Sequence, residues 1–311
     1  MKGKFILLAA MAALTGCGSG AHNESPSAGI SLSGAFALYP LTVKWAEEYK
    51  KIHPDARIDI SAGGAGKGIT DVLAGVTNIG LVSRALTPEE VQKGAYPIAV
   101  TRDAVVPTVS ASNPFLKQLQ ARGLKKEEFN AIFITGQTKN WSQLGFSDAP
   151  VHVYTRSDAA GAAETWAAYL GKKQDDLQGV AVFGDPGQAQ AVKKDPTGIG
   201  FNNIVFVYDA TSKLPSNGVV PLPIDINGNG KIDPEENFYG SIDQITQAIA
   251  QGKYPSPPAR DLYFVTKGSV TNPLAKDFIH WALTEGQKYV PTAGYIALSP
   301  DKLTESLNKV K

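Results

Sequence analysis

RIDISAGGAGKGITDVLAGVTNIGLVS, residues 57–83, decides the fold. Arg57–Ser61 alternates polar and apolar residues and reads as a strand. Gly63–Gly66 then makes a tight loop, Ile69–Ala74 a helix, and Ile79–Ser83 a second strand. Strand, turn, helix, strand is a βαβ unit, which implies parallel pairing through a right-handed crossover. The same rhythm continues on both sides. Upstream, Ile30–Leu32 reads as a strand, and Pro40 opens a helix that runs to about Ile52. Its apolar face carries Leu41, Trp45 and Tyr49, and His53-Pro54 ends it. Downstream, Thr87 and Glu90 have the spacing of a capping box. The class is therefore α/β. Two extended segments, Val105–Val109 and Leu262–Thr266, separate a middle section from both ends of the chain. Two such crossings predict two lobes joined by a hinge. Ligands of such sheets sit outside the carboxyl ends of the strands.

The N-terminal segment has a different chemistry. Lys2 and Lys4 precede a short apolar run, Phe5–Leu14, too short for a permanent membrane span. The run ends in Leu14-Thr15-Gly16-Cys17, which resembles a bacterial lipobox. That resemblance implies a signal peptide over residues 1–16 and a lipid on Cys17. Cys17 is the only cysteine, so no intramolecular disulfide can form. Residues 17–29 are rich in Gly, Ser, Ala and Asn and read as a flexible tether. The folded body is expected over residues 30–311.

Net charge is +1, with no long basic or acidic run, so nucleic acid is excluded as a partner. No later segment is long and apolar enough to span a bilayer. The histidines His22, His53, His152 and His280 show no metal-ligand spacing, and no Gly-x-Ser-x-Gly motif is present. The glycine run at 63–68 has Ser61 and Gly68 where a phosphate-binding Walker loop needs Gly and Ser or Thr. No enzymatic activity is expected.

Several pieces, in order, resemble the phosphate-binding proteins of ABC importers. They are Ser33-Gly34-Ala35-Phe36 ahead of a helix with Lys44-Trp45, then Gly63–Gly68, then Val82-Ser83-Arg84. Thr135–Trp141, Arg156-Ser157-Asp158-Ala159-Ala160-Gly161 and Gly198-Ile199-Gly200-Phe201 complete the set. The resemblance implies a two-lobed periplasmic-binding-protein fold of type II, with two mixed, mainly parallel sheets joined by a hinge. Lobe 1 would take residues 30–107 and 262–311, and lobe 2 residues 108–261. The implied function is capture of phosphate or a related anion between the lobes, for ABC permease subunits, by a monomer lipid-anchored in the cell envelope. The alternative is a membrane-anchored sensing, adhesion or structural protein that keeps the fold without phosphate transport.

The implied ligand contacts are Ala35, Phe36, Gly64, Ala65, Ser83, Arg84, Arg156, Asp158, Ala160, Gly161 and Ala162. Family members carry Ser or Thr hydroxyls on these loops. Here alanines and Phe36 replace them, leaving Ser83. A hydrogen bond to a charged group contributes roughly 1.5–3 kcal/mol. A micromolar binder has about 8 kcal/mol in all. Phosphate must then bind through backbone N–H groups and Arg156, or the ligand is a larger or less polar solute, or none. Each glycine turn also delivers a helix N-terminus, whose free N–H groups favour an anion. Arg156 and Asp158 could equally form a structural ion pair.

Asp225–Glu236 fits the twelve-residue EF-hand loop pattern. Asp225, Asn227 and Asn229 stand at the first three ligand positions and Gly230 at the turn. Lys231 would lend its carbonyl, Asp233 bind directly or through water, and Glu236 bind bidentately. Pro221 and Pro223 rule out the usual helix before it. A lone, structural Ca²⁺ loop is expected.

Overall fold

The computed structural model of the chain describes residues 29–216 and 218–311. The expected signal peptide, Cys17 and the tether through residue 28 lie outside the described residues. Gly29, assigned above to the tether, instead begins the first strand, because its backbone pairs with Arg57.

The chain opens with β1 (Gly29–Gly34), α1 (Tyr39–Ile52), β2 (Arg57–Ala62), α2 (Ala65–Leu73), β3 (Ile79–Val82) and α3 (Pro88–Gln92). A long strand, β4 (Ala95–Ser110), then crosses to a second body. There follow α4 (Leu116–Arg122), α5 (Lys126–Phe133), β5 (His152–Arg156), α6 (Gly161–Tyr169), β6 (Val180–Val182) and α7 (Gly184–Lys194). β7 (Gly198–Asn203), β8 (Val219–Pro221) and α8 (Ile242–Ala250) complete that body. β9 (Ala259–Lys267) crosses back, ahead of α9 (Pro273–Leu283) and α10 (Pro300–Asn308).

The βαβ reading holds. β1 lies between β2 and β3 and is parallel to both. β5 likewise lies parallel to β6 and β7. The centre differs from the mainly parallel expectation. β9 is antiparallel to β3 and β4, and β4 is antiparallel to β7 and β8. The reason is geometric: β4 leaves the first body and β9 returns to it, so the two crossings run opposite ways. They pair with each other over most of β9, which makes the hinge a two-stranded ribbon.

Two apolar clusters flank this ribbon. One holds Trp45, Tyr49, Phe264, Phe278 and Trp281, the other Phe129, Phe133, Trp141, Trp166 and Phe201. Along β4 membership changes between Val100 and Ala104, and along β9 between Ala259 and Leu262. All four tryptophans are packed in these cores. The Thr87 and Glu90 capping box forms as its spacing predicts.

α2 begins at Ala65, a turn earlier than expected. Gly66 and Gly68 weaken helix propensity, which argues for a loop in sequence. Packing overrides this. A Cβ on Gly68 would stand 2.6 Å from the Leu81 carbonyl, so only glycine lets α2 lie this close to β3. Gly64 at its N-cap has φ +92°, open to glycine at little cost.

The ribbon is pinned by a buried ion pair. Arg260 on β9 faces Asp103 on β4 in the ladder, and its Nε donates to Asp103 Oδ1 at 2.9 Å. Burial pushes the Asp103 carboxyl up, and Arg260 opposes that shift. Removing one partner leaves a buried charge alone, which costs about 3–5 kcal/mol. Arg260→Met is therefore expected to lower unfolding free energy by about that amount in a denaturant titration. A loss below about 1 kcal/mol would show that water reaches Asp103.

Candidate functional site: the inter-lobe cleft

Between the two bodies the structure brings together Ala35, Phe36, Ala37, Gly64, Ala65, Ser83, Arg156, Ala160, Gly161, Ala162, Asp185 and Asn203. They line a narrow cleft with about 150 Å³ of empty space. Most of the residues expected at the site are therefore gathered in one place.

Two helices aim their N-termini at this cleft. α2 starts at Ala65 and α6 at Gly161, and neither has a side-chain cap. Among the described residues, the amides of Ala65, Gly161 and Ala162 make no hydrogen bond. These positions are buried. A buried, uncapped helix end needs a partner. The lobes already touch beside it, where the Gly66 amide donates to the Ala159 carbonyl at 3.0 Å. Gly161 packs on Ser83 so closely that a Cβ would stand 2.6 Å from the Ser83 carbonyl oxygen.

Arg156 at the end of β5 is 5% exposed. Its Nε and Nη2 donate to Asp158 Oδ1 and Oδ2 at 2.9 and 2.6 Å, a side-on fork. Its Nη1 donates to Asp185 Oδ2 at 2.6 Å. Burial pulls the guanidinium pKa down, but Asp185 and Asp158 together hold it above its ordinary value. The structural ion pair left open in the sequence is thus present, with a second carboxylate besides. Asp158 faces Arg156 and accepts from the Gly184 amide at 3.1 Å, which caps α7.

Asp185 and Asn203 were not foreseen. Asn203 donates from Nδ2 to Asp185 Oδ1 at 2.6 Å and accepts from Arg260 Nη2. Arg260 Nη1 donates to the Gly161 carbonyl and, at 2.8 Å, to Thr165 Oγ1. The Gly184-Asp185-Pro186 stretch carries a helix-start signal. Nothing in it says that the aspartate turns inward.

Arg84 is a correction. It lies outside the cleft lining, bound to Glu90 through Nη1 at 2.9 Å and Nη2 at 2.7 Å. Glu90, fixed by its capping box, is the nearer acceptor.

The loop at Asp225–Glu236 is held by its own hydrogen bonds. Asp225 accepts from the amides of Gly228, Asn229 and Gly230. Glu236 accepts from the amides of Ile226, Asn227 and Asp233. Asn227 and Asn229 donate to Asp233 Oδ2, and the Lys231 ammonium lies 2.8 Å from Asp233 Oδ1. Lys231, ahead of both asparagines, holds the Asp233 pKa down to about 2. Among the described residues no group of three or more His, Cys, Asp or Glu is placed to hold a metal. Gly228 and Gly230 adopt positive φ, as a sharp turn requires. α8 follows with Ser241 as its N-cap.

A family model described as a PBP superfamily domain matches residues 19–285. The phosphate-binding protein PstS of Bacillus subtilis (strain 168) is 29% identical over 324 aligned positions, covering 99% of this chain and 98% of that protein. PstS of Pseudomonas aeruginosa PAO1 is 28% identical, covering 91% of this chain and 87% of its own. Among solved structures, an ABC-type phosphate transport receptor from Vibrio cholerae superposes with a TM-score of 0.63 at 21% identity. That match covers 86% of this chain and 100% of the receptor, and it shows the fold.

The close fit at Gly161 gives a direct test of closure. Gly161→Ala places a methyl against the Ser83 backbone, between the lobes. The variant is expected to show a larger radius of gyration in small-angle scattering than the unmodified chain. An equal radius would mean that the lobes close around the methyl.

Proposed function

The chain belongs to the PBP superfamily, and on that premise we propose that it is the solute-binding component of an ABC importer, taking phosphate or a related anion in the inter-lobe cleft. One observation carries the reading: the N-termini of α2 and α6, buried and uncapped, face the same cleft. Their free amides and dipoles favour an anion without any side chain. This matters because the alanines at 65, 160 and 162 offer no hydroxyl. The relatives named above are phosphate-binding proteins by description. The ribbon of β4 and β9 is the hinge about which the lobes part to admit the solute and close to hold it.

Location follows from the N-terminal reading. Cys17 carries the lipid, and the protein works as a monomer outside the cytoplasmic membrane. Among the described residues no helix is long and apolar enough to cross a membrane.

Isothermal calorimetry with phosphate, other oxyanions and organic phosphates tests the main reading. Binding is expected, and Arg156→Ala should weaken it at least tenfold, about 1.4 kcal/mol. Absence of binding by every anion at millimolar concentration would leave the anchored, non-transport alternative.

Calcium at Asp225–Glu236 is proposed as a structural staple. Glu236 accepts from the amide next to Asp225, so the two ends of the loop already meet. Ca²⁺ would recruit Asp225, Asn227, Asn229, Asp233, Glu236 and the Lys231 carbonyl as oxygen ligands. EDTA is expected to lower the melting temperature, and Asp225→Ala to abolish the EDTA effect. An identical melt with EDTA and with excess Ca²⁺ rules the staple out.

A further inference from the structure

Phe36 stands where lobe 1 meets lobe 2, half-buried, on the loop between β1 and α1. Its ring meets Arg156, Phe183 and Gly184 of the opposite lobe. The Arg156 guanidinium sits 5.6 Å from its ring centroid, in cation–π range. Phe183 meets it edge to face, at 5.8 Å and 84°. Gly184 gives it a notch: at φ +71°, a Cβ there would stand 2.9 Å from the Phe36 Cζ. Phe183 itself is 61% exposed.

Arg156 is thus supplied from within the chain on every side that these contacts define. Asp158 takes its side-on fork, Asp185 takes Nη1, and Phe36 covers its face. Phe36, Arg156 and Asp185 line the same narrow cleft.

We propose that Phe36 sets what this cleft accepts, as a plug from lobe 1 that closes over Arg156 and must be displaced by an incoming anion. The proposal rests on the reading that the cleft takes an anion, and it adds that the chain closes on its own ring first. Small inorganic oxyanions therefore bind weakly, and a ligand that moves the ring aside binds better. Once the ring is gone, the free amides of Ala65, Gly161 and Ala162 and the face of Arg156 are open to phosphate.

The test uses the full mature chain with Phe36→Ser, and Phe183→Ala as the milder variant that removes only the brace. Inorganic phosphate is titrated by calorimetry, and scattering is recorded in phosphate-free buffer. Phe36→Ser is expected to bind phosphate at least tenfold more tightly than the unmodified chain and to show a larger radius without ligand. Equal or weaker phosphate binding by Phe36→Ser overturns the plug. If neither protein binds phosphate, the phosphate reading falls and scattering alone decides the plug. A larger radius for Phe36→Ser then supports it, and an equal radius overturns it. If circular dichroism shows Phe36→Ser unfolded, Phe183→Ala is judged by the same two measurements, with a smaller gain expected.

Discussion

A line of buried polar side chains runs from the cleft to the hinge, and the rest of the structure is arranged around it. Asp158 holds Arg156, Arg156 holds Asp185, Asp185 meets Asn203, Asn203 meets Arg260, and Arg260 holds Asp103. Charges taken out of water are tolerated only when each is paired and its hydrogen bonds are met. The line satisfies that condition by drawing one member each from β5, α7, β7, β9 and β4, and Asp158 from the loop after β5. It therefore fixes those elements relative to one another. Arg260 also holds the Gly161 carbonyl, which orients the first turn of α6 toward the cleft. Hinge and binding surface share one set of contacts.

The same line limits what the cleft can do electrostatically. It contains three carboxylates against two guanidinium groups. Arg156 is a cation, yet its charge is already met within the chain. Its pull on an anion is therefore reduced, and the uncapped ends of α2 and α6 add the larger share of the attraction. Backbone amides do not depend on side-chain identity, so the alanines that remove hydroxyls leave this source intact. The balance between a satisfied arginine and unsatisfied amides distinguishes this cleft from one lined by Ser and Thr.

Much of the fold was legible because local rules and tertiary packing agree in most of it. Pro40, the apolar stripe of Leu41, Trp45 and Tyr49, and the Thr87 and Glu90 pair each specify structure within a few residues. Where packing overrides propensity, legibility failed. Gly66 and Gly68 look like loop, but they are helix because α2 must approach β3 backbone to backbone. The antiparallel centre of the sheet was missed for a similar reason, since the direction of β9 is set by the chain's return from the other lobe.

At the site, the sequence by itself determined the short-range features: the glycine turns, the helix starts behind them, the missing hydroxyls and the nearness of Arg156 to Asp158. These depend on spacing along the chain. Only the tertiary structure decided that Asp185 and Asn203 join Arg156, that Arg84 leaves the cleft for Glu90, and that Phe36 lies over Arg156. The physical reason is that a charge or a ring takes the nearest partner in space. For Asp185 and Arg156 that partner lies 29 positions away in the chain.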